Sequence, residues 1–357
     1  MEADHNGIGR RALLASLGAS ALSTSLSSPV AAADVRGARL QTPSGKPLSG
    51  LYPIMQTPFT PEDKLDTAAL TAEVNFINRG KVNGMIWPVF ASSWSTLNDA
   101  ERIVGAETIL AANKGKKAAA AIAVQNVKWD VPTSVRYARH AAAHGADAIV
   151  AIPPNNGWNV SDRDVIDYYK AIGAATDLPL VVQTRGTISA ELLLQIFRQV
   201  PTVRATKDEV GDPHERIPVL IKGSDNKLAV WAAGGGTGNQ LIEELPMGFV
   251  GLCPTPQYSD MLQQVQELYW DGRKRGAFDM WARVQGFAAL PGATDYMMVA
   301  RGVFKETTKF RTQPMEPEAA PAGGAGGARR EAKPLTPERK AILRQAMETY
   351  LRPVMRA

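Results

Sequence analysis

The sequence predicts an α/β fold, a (β/α)8 TIM barrel with extra C-terminal helices. Three observations predict it. Eight short β-rich runs recur between residues 50 and 252. Helix-period segments alternate with them, the pattern of parallel strands joined by crossover helices, over the ~250 residues a closed barrel needs. No Gly-x-Gly-x-x-Gly turn follows the first run, which argues against the alternative of an open dinucleotide-binding sheet.

The strand candidates are residues 50–55, 84–89, 118–123, 148–152, 179–182, 203–206, 228–232 and 249–252. Each is short, apolar and bounded by turn residues. Between them lie amphipathic helices, among them 68–78 with Leu70, Val74 and Ile77 on one face, 131–144, and 165–175. Further helices at 261–269, 276–289 and 294–306 follow the eighth unit. Such additions build subunit contacts or pack beneath a barrel.

The chain ends are different material. Residues 1–33 run from a polar start through Arg10-Arg11 and a weak apolar core to Ala31-Ala32-Ala33. That is a charged start, an apolar stretch too short to span a membrane, and a small-residue cleavage site. Adjacent arginines before a weak apolar core resemble a twin-arginine export signal, with an ordinary secretory signal or a disordered N-terminus as the alternatives. Either signal implies a periplasmic or secreted protein with no membrane contact after the signal is removed. Residues 34–47 are an N-terminal extension, and 48–315 hold the barrel and its C-terminal helices. Residues 316–335 form an Ala/Gly/Pro linker. Thr336-Pro337-Glu338 then opens a helix over 336–357, with Ile342, Leu343, Ala346, Met347, Tyr350 and Leu351 on one face. It docks on its own barrel or on a neighbouring subunit.

Charge and cysteine content remove other classes. The formal net charge is +5, and Lys and Arg are spread without a dense basic block, so nucleic acid is not an expected partner. The single cysteine, Cys253, cannot form an internal disulfide, and its apolar run predicts a buried, inert thiol. His140 and His144 are four apart on one helix face, a metal-ligand spacing. Only alanines stand between them, so the expectation is an exposed helix-end pair and no metal. The Gly-rich run around Gly235 lacks the Lys-Ser/Thr of a phosphate loop and reads equally as a tight turn at the barrel mouth.

The chemistry-bearing candidate is Lys207, which ends the sixth strand and precedes an acidic turn, Asp208-Glu209. Catalytic groups of barrels sit at strand ends. An amine held out of water there attacks a ketone to form a Schiff base. From this segment alone, a surface lysine at a strand end is the alternative.

At this point the chain resembles the dihydrodipicolinate synthase / N-acetylneuraminate lyase family over residues 48 to 315. The resemblance rests on an ordered set of short matches. Thr57-Pro58-Phe59 follows strand one, Gly84 opens strand two, and Leu97 with Glu101-Arg102 opens its helix. Gly145-Ala146-Asp147-Ala148 leads into strand four, Asp177-Leu178-Pro179 into strand five, and Lys207 precedes Gly211-Asp212. The resemblance implies class I lyase chemistry, with Lys207 as the Schiff-base lysine for pyruvate or another 2-oxo acid and no further cofactor. It also implies a homo-oligomer, a dimer or tetramer.

The chain departs from the family pattern in three places. Where the family has Thr-Thr after strand two, the ungapped register holds Val89-Phe90-Ala91-Ser92-Ser93. Ser92 and Ser93 then either take over the substrate carboxylate or satisfy a turn. Where the family has a proton-relaying tyrosine after strand five, this chain has Gln183, which hydrogen-bonds but cannot shuttle a proton. Arg185 lies two residues on, suited either to bidentate carboxylate binding or to a solvated loop. After strand four, Asn155, Asn156 and Trp158 stand where paired tyrosines are usual. The candidate site is therefore Lys207 and Gln183 as catalytic residues, with Ser92, Ser93, Arg185, Thr57 and Gly235 as substrate-binding residues. Two functions fit: a divergent aldolase or dehydratase of 2-oxo acids or sugar-acid derivatives, or a non-catalytic exported binding protein for such acids.

Overall fold

A computed structural model describes residues 40–312 and 334–357. Residues 1–33, expected to be an export signal, and most of the expected linker at 316–335 lie outside the described residues. Eight parallel strands form one sheet: β1 (Gly50–Leu51), β2 (Gly84–Trp87), β3 (Ala119–Ala123), β4 (Ala148–Ala151), β5 (Leu180–Gln183), β6 (Val203–Asp208), β7 (Ala229–Ala232) and β8 (Gly251–Leu252). From β2 to β8 each strand pairs with the next in sequence, and β1 pairs with β8. A parallel bridge between Ile54 and Ile86 closes the ring between β1 and β2. The expected (β/α)8 barrel is the observed one.

The ladders of β1 and β8 are two residues long, shorter than expected: β1 stops before Pro53, which has no N–H to give, and β8 starts two residues later than expected. Conversely, β5 and β6 run one and two residues past the expected ends, so Gln183 and Lys207 lie inside the ladder, in register with each other.

The alternation along the strands divides the core in two. Residues such as Ala119, Ala121, Val150, Val181, Ala205 and Trp231 face inward and form one buried cluster. Their neighbours Ala120, Ile122, Ile149, Val182 and Val230 face outward into the helical layer. The inner floor is a stacked pair, Tyr52 and Trp231, with ring centroids 4.3 Å apart. Trp231 Nε1 donates to Leu48 O at 2.9 Å and the Tyr52 hydroxyl donates to Pro47 O, so the extension caps the barrel's N-terminal end. Gly84 and Gly251 make room for these rings: a Cβ would stand 2.2 Å from Tyr52 and 2.3 Å from Trp231, respectively.

The helices on the outside are α1 (Thr67–Arg79), α2 (Asp99–Asn113), α3 (Val131–Ala143), α4 (Asp162–Gly173), α5 (Ala190–Gln199), α6 (Pro213–Gly223) and the short α7 (Leu241–Glu244). Side chains cap their N-termini: Asp66, Asn98, Asp130, Ser161, Ser189 and Asp212 each accept from a first-turn N–H. Capping by Ser161 starts α4 three residues before the expected 165, through a polar turn that the apolar pattern does not mark.

Then come α8 (Ser259–Trp270), α9 (Lys274–Ala288) and α10 (Ala293–Ala300). The last stops six residues short of the expected 306, at Gly302, whose left-handed φ of 69° breaks the helix. The terminal segment is α11 (Pro337–Ala346), which passes into a π turn at Met347–Leu351 and a 3-10 turn at Arg352–Val354. It docks on its own chain. Leu343, Met347 and Leu351 are buried, and Arg356 pairs with Glu267 of α8 at 2.6 Å. Arg301 binds the buried carboxylate of Asp260 through both terminal nitrogens, at 2.8 and 2.7 Å, and also the terminal Ala357 oxygen.

Candidate active site

Lys207 follows the inward-facing Ala205 by two residues, so period two aims its side chain into the barrel at the strand's C-terminal end. It is 1 % exposed. A buried ammonium needs a partner, and Glu209, two residues on, forms an ion pair with Lys207 Nζ. The second carboxylate oxygen of Glu209 accepts from Gln183 Nε2. The three side chains form one chain of contacts, from amine to carboxylate to amide.

The electrostatics follow from these contacts. Burial pushes the Glu209 carboxyl up, but Lys207, the Gln183 hydrogen bond and the nearby Arg185 outweigh it and hold the group below the ordinary carboxylate range. Glu209 is therefore an ionised base in contact with the lysine. On the other side of the strand, Asp208 is bound by Arg216 Nε at 2.7 Å and Thr184 at 2.9 Å. Burial pushes Asp208 up despite these partners. Cys253 is buried and its thiol is pushed up to about 12, chiefly by burial, so it is an unreactive neighbour.

The Gln183 amide oxygen is buried and without a hydrogen-bond partner, as is Arg185 Nε. The Arg185 guanidinium lies 4.3 Å from the Phe90 ring centroid, a cation–π contact joining the β5 and β2 ends. The loops after β4 and β5 meet closely where Thr187 Oγ1 donates to Gly157 O at 2.8 Å. Asn155 Nδ2 donates within its own loop to Trp158 O at 2.7 Å, and Trp158 is exposed.

The other expected substrate-binding residues have structural partners. The Ser92 hydroxyl donates to Met55 O at 2.6 Å. Thr57 Oγ1 donates to Ser92 O at 2.6 Å and accepts from Trp87 Nε1 at 3.1 Å. Together these tie the ends of β1 and β2. Ser93 takes a left-handed φ of 55°, and its carbonyl accepts from Thr96. Gly235 sits in the turn after β7 with φ 62°, where a Cβ would stand 1.8 Å from Asn239 Oδ1. Lys207, Gln183 and, through charge, Arg185 thus come together; Ser92, Thr57 and Gly235 serve the loops around them. Sequence reasoning missed Glu209, although its signal was present: it stands two residues after Lys207 and so shares its face.

Cavities open on the barrel near the strand ends, one of them beside Glu209. One of about 180 Å3 is lined by Asp208, Glu209, Gly211, Ala232, Gln240 and Glu244. The other, about 350 Å3, lies between the loops after β2 and β3 and is lined by Trp94, Arg102, Gln125, Lys128 and Arg136 among others. Only the first touches a residue of the lysine cluster.

The fold and site define a (β/α)8 protein with an amine buried against a carboxylate at the mouth of the barrel. The chain belongs to the dihydrodipicolinate synthetase family, whose family profile matches residues 47–277. Among its relatives is a probable 2-dehydro-3-deoxy-D-pentonate aldolase of Escherichia coli, 28% identical over 170 residues, 46% of this chain and 55% of the aldolase. Another is the L-2-keto-3-deoxyarabonate dehydratase of Azospirillum brasilense, 25% identical over 248 residues, 68% of this chain and 78% of the dehydratase. The barrel is also similar to a solved putative dihydrodipicolinate synthetase from Pseudomonas aeruginosa, with TM-score 0.67 and 21% identity over 84% of this chain and 99% of that one. N-acetylneuraminate lyase from Mycoplasma synoviae matches with TM-score 0.66 and 19% identity over 85% and 98%. These two likenesses show the fold.

Proposed function

We propose that this chain is a class I lyase that forms an imine between Lys207 and a 2-oxo acid, with a hydroxylated sugar-acid derivative as the preferred class. The observation that carries the reading is the buried contact of Lys207 with Glu209. Attack by an amine requires the ammonium proton to leave, and Glu209 is the ionised base touching it. The new C=N bond forms as the ketone oxygen departs as water, taking back the proton that Glu209 had removed and leaving Glu209 ionised again. The protonated imine then draws electrons from the neighbouring carbon. Loss of that carbon's proton to Glu209 gives an enamine, which expels the hydroxyl of the next carbon as water with the proton that Glu209 has just taken, a dehydration. Alternatively, with the same imine, Glu209 takes the hydroxyl proton of the next carbon as the bond to that carbon breaks, releasing an aldehyde and leaving the enamine, an aldol cleavage.

Glu209 thus takes the proton-moving role that Gln183, an amide, cannot perform. Gln183 keeps an unpartnered oxygen that can accept from a substrate hydroxyl. Arg185 has a free buried Nε and would hold the acid's carboxylate. The names of the aldolase and dehydratase relatives support this substrate class.

Proton exchange tests it. In D2O, the enamine exchanges the methyl protons of pyruvate, read by NMR as loss of the methyl signal. Wild-type protein is expected to catalyse exchange and Lys207→Ala to abolish it. Exchange that survives in Lys207→Ala would contradict the lysine's role. We further propose that the chain is exported through its first 33 residues. Appearance of a fused reporter outside the cytoplasm, lost in Arg10→Lys/Arg11→Lys, is the expected outcome.

A further inference from the structure

Away from the barrel mouth, the outer helices bring three metal-binding side chains together. Glu107 of α2 lies beside His140 of α3 and His144, the residue that ends α3. Their ligand atoms all lie within 4.8 Å of one another. His140 Nε2 is 2.9 Å and His144 Nε2 3.5 Å from the same oxygen, Glu107 Oε1. The two imidazoles face each other at 4.2 Å between centroids. The pair expected from sequence to be an exposed helix end is therefore joined to a carboxylate on the neighbouring helix, with His140 only 18% exposed in its side chain.

The hydrogen-bond pattern leaves one ring nitrogen open to a cation. His144 Nδ1 lies 2.8 Å from His140 O. A carbonyl only accepts, so Nδ1 carries the hydrogen. In the neutral ring, Nε2 is then a lone pair directed at a carboxylate oxygen that is also an acceptor. His140 already occupies that oxygen as a hydrogen-bond partner. His140 in its Nε2–H tautomer donates to this oxygen as a neutral ring, whereas the His144 Nε2 lone pair, 3.5 Å from the same oxygen, has no hydrogen to give it and is open to a metal ion. A hydrogen bond from the far ring nitrogen to a backbone carbonyl is the arrangement that orients metal-ligating histidines. The spacing also suits an ion. Bonds of ~2.1 Å in a tetrahedral site separate ligand atoms by about 3.4 Å, close to the 2.9 and 3.5 Å observed.

We propose that Glu107, His140 and His144 bind one divalent transition-metal ion of the zinc type, bracing α2 against α3 and leaving a fourth position to solvent. Two imidazoles and a carboxylate select such ions over magnesium or calcium, which take oxygen ligands. The site is independent of Lys207 and does not rest on the lyase reading.

Calorimetric titration of tag-free, chelator-stripped protein with zinc chloride tests the proposal. The expected result is one zinc per chain and no saturable binding of magnesium. His144→Ala and Glu107→Gln should each weaken zinc binding by at least about tenfold. His214→Ala, which removes a different exposed His–Glu pair, should leave binding unchanged. Zinc should raise the thermal midpoint of the wild type but not of a His140→Ala/His144→Ala double variant. No saturable zinc binding by the wild type, or equal binding by the double variant, would overturn the proposal. The side chains of Glu107, His144 and His214 are 44%, 44% and 56% exposed, and the thermal midpoint without zinc reports whether each variant, the His140-containing double variant included, is folded.

Discussion

Glu209 touches two side chains that need it for different reasons. It neutralises the buried Lys207 ammonium, and it fixes the Gln183 amide by accepting from its nitrogen. Glu209→Gln keeps the shape and removes the base. We expect proton exchange and turnover to fall by about two to four orders of magnitude, while a reducible imine with Lys207 still forms. Retention of full exchange in this variant would assign proton transfer to another group. Gln183→Leu removes one hydrogen bond to an ionised group and should cost about 10- to 100-fold in turnover without abolishing the imine. Steady-state kinetics read both effects. Lys207 was legible in the sequence because a short β-type run, Val203-Arg204-Ala205-Thr206, ends on it. Glu209 was not, because the strand reads as finished at Thr206 and the acidic pair beyond it looks like a solvated turn. The ladder in fact runs to Asp208, which carries the period of two through the lysine to its partner.

At the scale of the elements, the barrel is built around what its floor must hold. Tyr52 and Trp231 fill the N-terminal half of the interior, facing alanines on β3 and β4 and the glycines at 84 and 251. Trp231→Ala should destabilise the protein by about 3–5 kcal/mol. Gly84→Ala should cost about 1–3 kcal/mol, since the new methyl meets Tyr52. Urea denaturation measures both, and a neutral Gly84→Ala would show that the floor has slack. These small residues were visible in the sequence, but the rings they accommodate lie on distant strands, so the packing was not. Strand number and order were legible because period-two runs and caps recur locally. Strand ends were less so, since Pro53 interrupts hydrogen bonding without interrupting the apolar pattern.

The short α7 carries a pH-dependent element. Glu244 is 4% exposed with one carboxylate oxygen unpartnered. Burial, then the neighbouring Glu243, pushes its carboxyl up to about 7, against a smaller opposing pull from His214. Because the folded state holds the proton more tightly, this stabilising contribution is complete below about pH 4.5 and lost as pH rises through about 7. We expect Glu244→Gln to gain about 1–3 kcal/mol on the wild type between pH 5 and 8. Thermal midpoints across that range check it; parallel pH profiles would contradict it.

For the whole molecule, the C-terminal segment is the part that the barrel pattern did not place. Its docking depends on the buried Arg301–Asp260 pair, which also receives the N–H groups of Arg356 and Ala357. Breaking a buried pair leaves an uncompensated charge, so Arg301→Met should cost about 3–5 kcal/mol, and adding Asp260→Asn should recover part of it. The amphipathic face of α11 was readable from its spacing. Its landing site was not, because that depends on an ion pair between residues far from it in sequence.

The central claim concerns a bond to Lys207, and reductive trapping addresses that bond. The protein would be incubated with pyruvate and a panel of hydroxylated 2-oxo acids, reduced with borohydride, and examined by intact and peptide mass. The account predicts a reduced adduct on the peptide carrying Lys207, most abundant with a hydroxylated acid and absent in Lys207→Ala. A folded wild-type protein that forms no adduct with any of these acids, or forms it on another lysine, would contradict it.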